Sequence, residues 1–337
     1  MTAVPTIDVG PLLDGTDLDA VAGAIDHACR EFGFFSVVNH GVDPERFATV
    51  ASLAREFFAL PPERKQRVAM SRGGVAWRGW FPLDGELTSG IPDHKEGYYF
   101  GRELPATDPR VQAGTPLHGP NLWPEEPAAL REVLTDSMQA LETLGGHLTR
   151  AISYALGLGA DTLNDWWFRD PVVLLRLFQY PAGPGATRGV GEHTDYGFLT
   201  MLWQDTSGGL QVRTDAGWID VPPEPAALVC NIGDMLDRLT RGRYRSTAHR
   251  VVSPSATDRI SVPFFFDPDW DARVDALPLP GAAPPDDANH RWDGTSVHTF
   301  DGTYGEYLMT KVAKVFPELG SEVLPTGSPA GESPSSR

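Results

Sequence analysis

The chain has 337 residues, enough for one large domain or two closely packed ones. Hydrophobic residues make up 41% of the sequence and charged residues 22%, which is the composition of an ordinary globular protein. The formal net charge of −17 repels phosphate-rich partners at long range, so nucleic-acid binding is not expected to be its main task.

The cysteine content and the hydropathy argue against two further classes of protein. Only two cysteines occur, Cys29 and Cys230, and both lie in apolar segments, so no disulfide framework is indicated. No apolar run reaches the ~18 residues of a membrane span, and the N-terminal segment lacks the basic and apolar parts of a signal peptide. We therefore expect a cytoplasmic protein without a membrane or nucleic-acid partner. The sequence does not indicate an oligomeric state.

The first part of the chain predicts a mixed α/β region. Residues 4–9 alternate as in a short strand, residues 17–32 carry apolar side chains at helical spacing, and residues 34–38 are typical of a buried strand. A second helix is expected over about 44–60, where prolines end it. The segment 71–101 is rich in glycine and aromatic residues, and we expect irregular structure there that covers another part of the molecule.

The second half changes from helical to strand-like patterning. Residues 124–157 predict a helical stretch with leucines about one turn apart. From about residue 171, short apolar or alternating runs are separated by Gly, Pro and Asp, which favours an all-β sandwich or barrel. Residues 304–316 predict a last helix, and the Ser/Pro/Gly-rich segment after it is expected to be disordered.

The most informative motif is His193-Thr194-Asp195. Side chains two positions apart in extended backbone point the same way, so an imidazole and a carboxylate would share one face. His249, on another predicted strand, can supply a third ligand, and two histidines with one carboxylate form the facial triad that suits Fe(II). A His-x-Asp motif alone is weak evidence. His193 could instead be a surface histidine at a strand end, and His249 a hydrogen-bonded core histidine.

A second motif, Arg259-Ile260-Ser261, follows on the next predicted strand. The arginine fork suits a carboxylate and the serine adds a hydroxyl donor, so the expected partner is the distal carboxylate of a dicarboxylate cosubstrate. Tyr180 could add a phenolic donor to the same carboxylate. The alternatives are an ion pair between Arg259 and a nearby aspartate, and an ordinary tyrosine at a strand end.

These motifs occur in the order found in a known family. EFGFFSVVNHGV, AREFFALPPERK, LRLFQYP, HTDYGFLTML, NIGDMLDRLTRGRYRSTAHRV and RISVPFFF resemble the isopenicillin N synthase-like branch of the 2-oxoglutarate/Fe(II)-dependent oxygenases, over residues 4–318. The resemblance implies a mainly β fold: a double-stranded β-helix (jelly-roll) core with an N-terminal α/β region and flanking helices. It implies His193, Asp195 and His249 as iron ligands, and Arg259, Ser261 and Tyr180 as 2-oxoglutarate contacts.

Three features separate this chain from particular members of the family. Many plant members have Asn where this chain has Phe178, so a polar contact from that position is lost. Isopenicillin N synthase carries a Gln near its C-terminus, whereas the last glutamine here is Gln211, so its activity is not expected. The carboxylate of Asp195 argues against the related halogenases, which leave that position open for halide.

The expected organisation of the chain has five parts. They are an N-terminal α/β region of the oxygenase fold (1–118), a helical segment (119–170), the Fe(II)/2-oxoglutarate-binding jelly-roll core (171–275), a C-terminal extension with a helix (276–319) and a disordered tail (320–337).

Substrate contacts are harder to predict than metal ligands. Inward-facing or loop side chains near the motifs are the candidates, namely Arg176, Phe178, Trp80, Phe81, Phe264 and Phe266. The last two are included on the expectation that they share the inward face of Ser261. Asn231, Gly233 and Asp234 are expected to build a turn.

The resemblance implies a 2-oxoglutarate-dependent dioxygenase. With Fe(II), 2-oxoglutarate and O₂ it would oxidise, by default hydroxylate, a small-molecule metabolite and release succinate and CO₂, without catalytic residues beyond the metal centre. A natural-product intermediate of secondary metabolism is the expected kind of substrate. One alternative is an oxidase of the same fold that uses another reductant and catalyses desaturation or ring closure. The other is a catalytically silent small-molecule receptor.

Overall fold

The computed structural model describes residues 3–88, 90–183, 189–253, 256–281, 284, 286, 288, 291 and 294–315. The predicted tail, 320–337, lies outside these residues. Within the described ranges no helix is both long enough and apolar enough to cross a membrane.

The N-terminal part alternates short helices and strands, as predicted. Its helices are α1 (Gly10–Leu13), α2 (Leu18–Glu31), α3 (Pro44–Phe58), α4 (Pro62–Lys65) and α5 (Pro109–Gln112), and its strands are β1 (Thr6–Asp8), β2 (Phe34–Val38), β3 (Gly79–Phe81) and β4 (Glu96–Gly101). Asp17 caps α2 by accepting a hydrogen bond from Ala20 N. Gly33 follows that helix at φ +65°, a conformation that glycine adopts without strain, and turns the chain into β2.

The second half supplies most of the strands. Its elements are α6 (Leu130–Ala155), α7 (Thr162–Trp167), β5 (Pro171–Tyr180), β6 (Val190–His193), β7 (Leu199–Gln204), β8 (Leu210–Thr214), β9 (Gly217–Asp220), β10 (Leu228–Ile232), α8 (Asp234–Leu239), β11 (His249–Val251), β12 (Arg259–Asp269) and α9 (Tyr304–Val315). The predicted helix over 124–157 begins only at Leu130, because Pro124 and Pro127 lack the N–H that a helix needs.

Two sheets enclose a cavity. The larger has eight strands in the order β1-β2-β10-β7-β12-β5-β4-β3, and the smaller has four in the order β6-β11-β8-β9. All neighbouring strands are antiparallel except the parallel pair β1–β2. Side chains from both sheets line one cavity, so the core is a jelly roll and the predicted fold class is confirmed.

The segment 71–101 is only partly irregular. Its residues 79–81 and 96–101 form β3 and β4, which extend the larger sheet beyond β5, so the expectation of irregular structure is wrong there. The loop between these strands covers the cavity, and it is fastened to the smaller sheet because Asp93 Oδ1 accepts a hydrogen bond from Gly191 N at 3.2 Å.

Helices cover the outer face of the larger sheet. Both α3 and α6 pack against β5 and β12. Gly145 of α6 lies so close to the ring of Phe266 that a Cβ atom would meet it at 2.6 Å. Phe266 also stacks on Phe168 at a centroid distance of 5.1 Å. This packing fixes β12, the strand that carries the Arg-x-Ser motif.

Candidate active site

Three side chains from the smaller sheet and the loop after it come together as predicted. His193 ends β6, Asp195 lies two residues further on, and His249 begins β11, directly opposite His193 in the pairing of these strands. One ligand atom from each lies within 4.8 Å of the others, and Asp195 Oδ1 is 3.8 Å from each histidine Nε2. This is the spacing of three ligands around one metal ion.

Local hydrogen bonds turn both histidines toward that centre. Nδ1 of His193 lies 2.9 Å from Gly191 O, and Nδ1 of His249 lies 3.3 Å from Thr247 O. Because each Nδ1–H donates to a carbonyl, the lone pair is on Nε2, the atom that faces Asp195. Burial, helped by the neighbouring His249, lowers the pKa of His193 to about 4. A neutral imidazole is the form that binds metal.

The carboxylate of Asp195 is held with one oxygen free. Its Oδ2 accepts hydrogen bonds from Thr200 Oγ1 at 2.6 Å and from Asn231 Nδ2 at 2.7 Å, which leaves Oδ1 for a metal. Burial would raise the pKa of Asp195, but the two histidines and these two donors outweigh it and lower the pKa. The site therefore presents two neutral nitrogens and one anionic oxygen.

Asn231 has a different role from the one predicted. It lies on β10 and orients a candidate iron ligand, so the expected turn at Asn231 is wrong. The strand pairing explains its position: Asn231 is directly opposite Thr200 on β7, so both donors reach the same carboxylate oxygen.

The expected turn at Gly233 and Asp234 is wrong as well. These residues begin α8, whose first backbone N–H groups hold the loop that carries Asp195: Asp234 N donates to Asp195 O at 2.8 Å. Gly233 approaches Gly197 so closely that no Cβ atom fits between them. The end of β10 and the start of α8 thus fix the loop between β6 and β7.

Replacing Asn231 with leucine should weaken Fe(II) binding about 10- to 100-fold, the usual range for an outer-shell partner of a metal ligand. The substitution keeps the volume but removes the hydrogen bond to Oδ2, so Asp195 loses one of the two contacts that orient it. Anaerobic Fe(II) titration of the variant and the wild type measures the change.

Thr143→Val is the matched control, because its hydroxyl also donates a hydrogen bond, to Gln139 O, but on the exposed side of α6. It should bind iron as the wild type does. Unchanged iron affinity in Asn231→Leu would show that the hydrogen bond does not position the ligand.

Arg259 is fully buried in the same cavity and is incompletely paired. Its Nε donates to Gly208 O at 2.7 Å and its Nη2 to Gln204 Oε1 at 3.2 Å, whereas Nη1 is buried without a hydrogen-bond partner. No ion pair with a carboxylate is found for it among the described residues, so the alternative of an aspartate partner has no support. A buried cation with a free donor is costly unless an anion joins it.

Ser261 and Tyr180 lie beside this guanidinium. Arg259 and Tyr180 are paired across β12 and β5, and the guanidinium carbon lies 4.8 Å from the tyrosine ring centroid. Ser261 is the next inward-facing residue of β12, and all three side chains line the cavity. Serine, tyrosine and arginine together form a set of donors suited to one carboxylate.

The inward face of β12 continues with Pro263, Phe265 and Asp267. The expected inward placement of Phe264 and Phe266 is therefore wrong, because these residues lie at odd spacings from Ser261 and point to the helices on the other face. Phe265 takes the position in the cavity that sequence analysis assigned to its neighbours.

The other substrate candidates divide into two groups. Arg176 and Phe178 of β5 line the cavity, as expected. Trp80 and Phe81 lie on β3 and are not among the residues that line it. Trp80 Nε1 donates to Glu96 Oε2, and Phe81 packs edge-on against Tyr99 and Phe178. From the sequence, aromatic residues in this Gly-rich segment were as consistent with packing as with substrate contact.

Asp267 is a residue of the cavity that the sequence did not identify as a candidate. It lies in the cavity wall, accepts a hydrogen bond from Phe198 N at 2.8 Å, and fills the space beside Gly197, where no side chain would fit. Burial raises the pKa of Asp267 to about 7, so near neutral pH it is only partly ionised.

The residues present fit an iron centre with a dicarboxylate beside it. His193, Asp195 and His249 would hold the metal from one side and would leave open coordination positions for other ligands, and the unpaired donor of Arg259 lies in the same cavity. These features define the class as a non-haem iron enzyme with a binding site for an organic acid next to the metal.

Comparisons with known proteins identify the family. Residues 4–126 match the N-terminal region described for a non-haem dioxygenase in morphine synthesis, and residues 170–268 match the 2OG-Fe(II) oxygenase superfamily. A Dictyostelium discoideum protein named "Probable iron/ascorbate oxidoreductase" is 40% identical over 95% of this chain and 98% of its own length. A 1-aminocyclopropane-1-carboxylate oxidase of Dictyostelium mucoroides is 35% identical over 94% of this chain and 95% of its own.

A solved structure agrees with these matches. A full-length Neurospora crassa protein, crystallised with alpha-KG and thymine, superposes with a TM-score of 0.75 at 30% identity, covering 92% of this chain and 96% of that one. The chain belongs to the 2OG-Fe(II) oxygenase superfamily. It is an oxidoreductase of the 2-oxoglutarate-dependent dioxygenase type, with Fe(II) and 2-oxoglutarate as cofactor and cosubstrate.

Proposed function

We propose that this enzyme hydroxylates a small, partly apolar metabolite with residues assigned as follows. His193, Asp195 and His249 hold Fe(II), and Arg259, Ser261 and Tyr180 hold the distal carboxylate of 2-oxoglutarate. The observation that carries the proposal is the unpaired Nη1 of Arg259, a buried donor in the same cavity as the three candidate metal ligands. A dicarboxylate that spans the two would supply the missing anion.

The protein contributes binding, orientation and exclusion of water. When bound, iron and 2-oxoglutarate supply the oxidising chemistry, in which O₂ and 2-oxoglutarate give succinate, CO₂ and one oxygen atom for the substrate. Thr200 and Asn231 hold Asp195 in one orientation, and the side chains of both sheets keep the centre dry. We assign Arg176, Phe178 and Phe265 to the substrate, because they line the cavity beside the metal site.

The location and the division of the chain complete the proposal. A cytoplasmic enzyme is supported by the two free, buried cysteines. We keep 1–118 as the N-terminal region and 171–275 as the metal- and 2-oxoglutarate-binding core.

An oxidase that uses ascorbate instead of 2-oxoglutarate is the second candidate. It is favoured by the names of two relatives, the iron/ascorbate oxidoreductase and the 1-aminocyclopropane-1-carboxylate oxidase. The two candidates differ in stoichiometry: a 2-oxoglutarate-dependent enzyme forms one succinate for each O₂ consumed, whereas an ascorbate-dependent oxidase forms none.

The test begins without a known substrate. Under argon, Fe(II) and then 2-oxoglutarate are added to the protein, and we expect the visible metal-to-ligand charge-transfer band of an iron-bound keto acid. Admission of O₂ should then give slow succinate formation that requires 2-oxoglutarate, and ascorbate alone should not replace it. A protein that binds iron but gives neither the band nor succinate would refute the proposal and favour the oxidase or the silent receptor.

A further inference from the structure

Arg176 is held between two aromatic rings in the wall of the cavity. Its guanidinium carbon lies 4.1 Å from the ring centroid of Tyr99 and 4.6 Å from that of Phe265. Tyr99 lies on β4 and Phe265 on β12, the two strands that flank β5, so the rings approach the guanidinium from neighbouring strands on both sides. The N–H donors of an arginine lie in the guanidinium plane. A group that binds there must bring an acceptor in the same plane.

The donors of Arg176 are not used by the protein. Within the described residues this guanidinium makes no hydrogen bond: Nε is buried without a partner, and the nearest carboxylate oxygen, Glu86 Oε1, is 3.7 Å from Nη1. Arg78, a buried arginine nearby, differs, since its terminal nitrogens donate to the carbonyls of Arg102, Leu117 and Gly119. Among the cavity residues that the structure describes, the unsatisfied arginines are therefore Arg259 and Arg176, and Arg259 is already assigned to 2-oxoglutarate.

Glu86 presents an acceptor next to these donors. Its Oε1 accepts the hydroxyl of Tyr99, and its Oε2 pairs with the Lys95 ammonium at 2.9 Å. A carboxylate oxygen has a second lone pair, so Glu86 can still accept a hydrogen bond from a ligand. Both Glu86 and Arg176 line the cavity. A ligand that has a carbonyl oxygen beside an N–H can bind both residues at once.

The charges of the cavity are balanced without a substrate. Two cations, Lys95 and Arg176, face two carboxylates, Glu86 and Asp93, with Lys95 2.9 Å from each carboxylate. Burial disfavours the charged form of Lys95, but the two carboxylates raise its pKa above the usual value, so the cluster is ionised.

The metal site adds no positive charge to this count. Fe(II) contributes two positive charges and Arg259 one, while Asp195 contributes one negative charge and 2-oxoglutarate two. A carboxylate substrate would therefore be a buried charge without a counterion, which is strongly unfavourable.

We propose that the primary substrate is uncharged and presents a planar amide-type edge, a carbonyl oxygen beside an N–H, to Arg176 and Glu86. Amides, lactams and imides have this edge, and Tyr99 and Phe265, which line the cavity beside Arg176, offer aromatic contact to a planar molecule. This inference rests on the proposed function, because the charge count includes iron and 2-oxoglutarate.

The test compares isosteric pairs that differ in charge. Benzamide against benzoate, and nicotinamide against nicotinate, are titrated calorimetrically under argon into the Fe(II)·2-oxoglutarate protein, with the charge-transfer band recorded throughout. We expect each amide to bind at least ten-fold more tightly than its carboxylate. A carboxylate preference, or no amide binding at millimolar concentration, would overturn the inference.

Two variants separate charge from shape. Glu86→Gln removes one negative charge from the cavity, so the preference for amides over carboxylates should fall at least ten-fold. Glu96→Gln is the matched control: it removes the charge of another partly buried glutamate, which pairs with Lys65 at 2.7 Å and does not line the cavity, and it should leave the preference unchanged. The inference would be contradicted if both variants lowered the preference for amides equally, or if neither variant changed it. If Glu86→Gln does not fold, the wild-type comparison decides alone.

The same samples distinguish this inference from the proposed function. Absence of the charge-transfer band in protein that holds iron would count against the 2-oxoglutarate assignment itself. A normal band combined with tighter carboxylate binding would count only against the uncharged substrate.

Discussion

Replacing Arg259 with glutamine should weaken 2-oxoglutarate binding about 30- to 5,000-fold, because truncation of one member of a buried charge pair costs roughly 2–5 kcal/mol. The guanidinium is fully buried and two of its nitrogens are already fixed by Gly208 and Gln204, so the third is oriented before the ligand arrives. Little conformational entropy remains to be lost, which makes the contact unusually effective.

The measurement is an anaerobic titration of the Fe(II) protein with 2-oxoglutarate, followed by the charge-transfer band. Iron affinity should be unchanged in Arg259→Gln, because the residue lies on the larger sheet and all three proposed iron ligands lie on or beside the smaller one. Arg259→Lys should recover part of the affinity, since it keeps the charge but loses the fork.

Arg67→Gln serves as the matched control for the loss of a guanidinium. Arg67 is exposed and pairs with Glu125 on the surface, where an ion pair contributes little. Wild-type 2-oxoglutarate affinity in Arg259→Gln would contradict the assignment and would leave its buried donor to a different anion.

The clustering of the three candidate metal ligands was partly predictable because it depends on local rules. His193 and Asp195 are two positions apart, and the alternation of an extended chain is sufficient to bring them to one side. The position of His249 could not be predicted from local spacing. It lies opposite His193 because β11 pairs with β6, and only the family's order of motifs indicated this pairing in advance.

The role of Asn231 could not be predicted from local sequence rules. Its amide reaches Asp195 only because β10 pairs with β7 in a register that sets Asn231 against Thr200. An Asn-x-Gly-Asp segment read alone predicts a turn, since these residues favour turns by composition. The tertiary pairing decides otherwise, and no spacing within the sequence encodes it.

The substrate wall illustrates a second limit. Side chains of β12 do alternate between the two faces of the sheet, as expected. Counting from Ser261 in steps of two reaches Pro263 and Phe265, so these residues face the cavity and Phe264 and Phe266 face the opposite way. The buried charges of Glu86, Asp93 and Lys95 lie in a loop, where no periodicity indicates burial. The contact of Glu86 with Arg176, and the pairing of Lys95 with Glu86 and Asp93, arise only in the folded chain.

Removal of an iron ligand should have the largest effect of all. His249→Ala leaves two ligands, and we expect turnover to fall at least about 10³-fold, because changes in outer-shell partners alone cost ~10–100-fold. Fe(II) affinity should fall with it. His249 also packs edge-on against Phe34 at a centroid distance of 5.3 Å, so the variant leaves a cavity the size of an imidazole in an otherwise intact wall.

That cavity provides the decisive readout. Free imidazole can enter it and supply the missing nitrogen, so added imidazole should restore part of the iron affinity and part of the charge-transfer band in His249→Ala. His27→Ala, on the exposed face of α2, is the control and should match the wild type with and without imidazole. A purely structural role for His249 predicts lower thermal stability without rescue by imidazole. Iron binding at wild-type strength in His249→Ala would mean that the third ligand is a different residue.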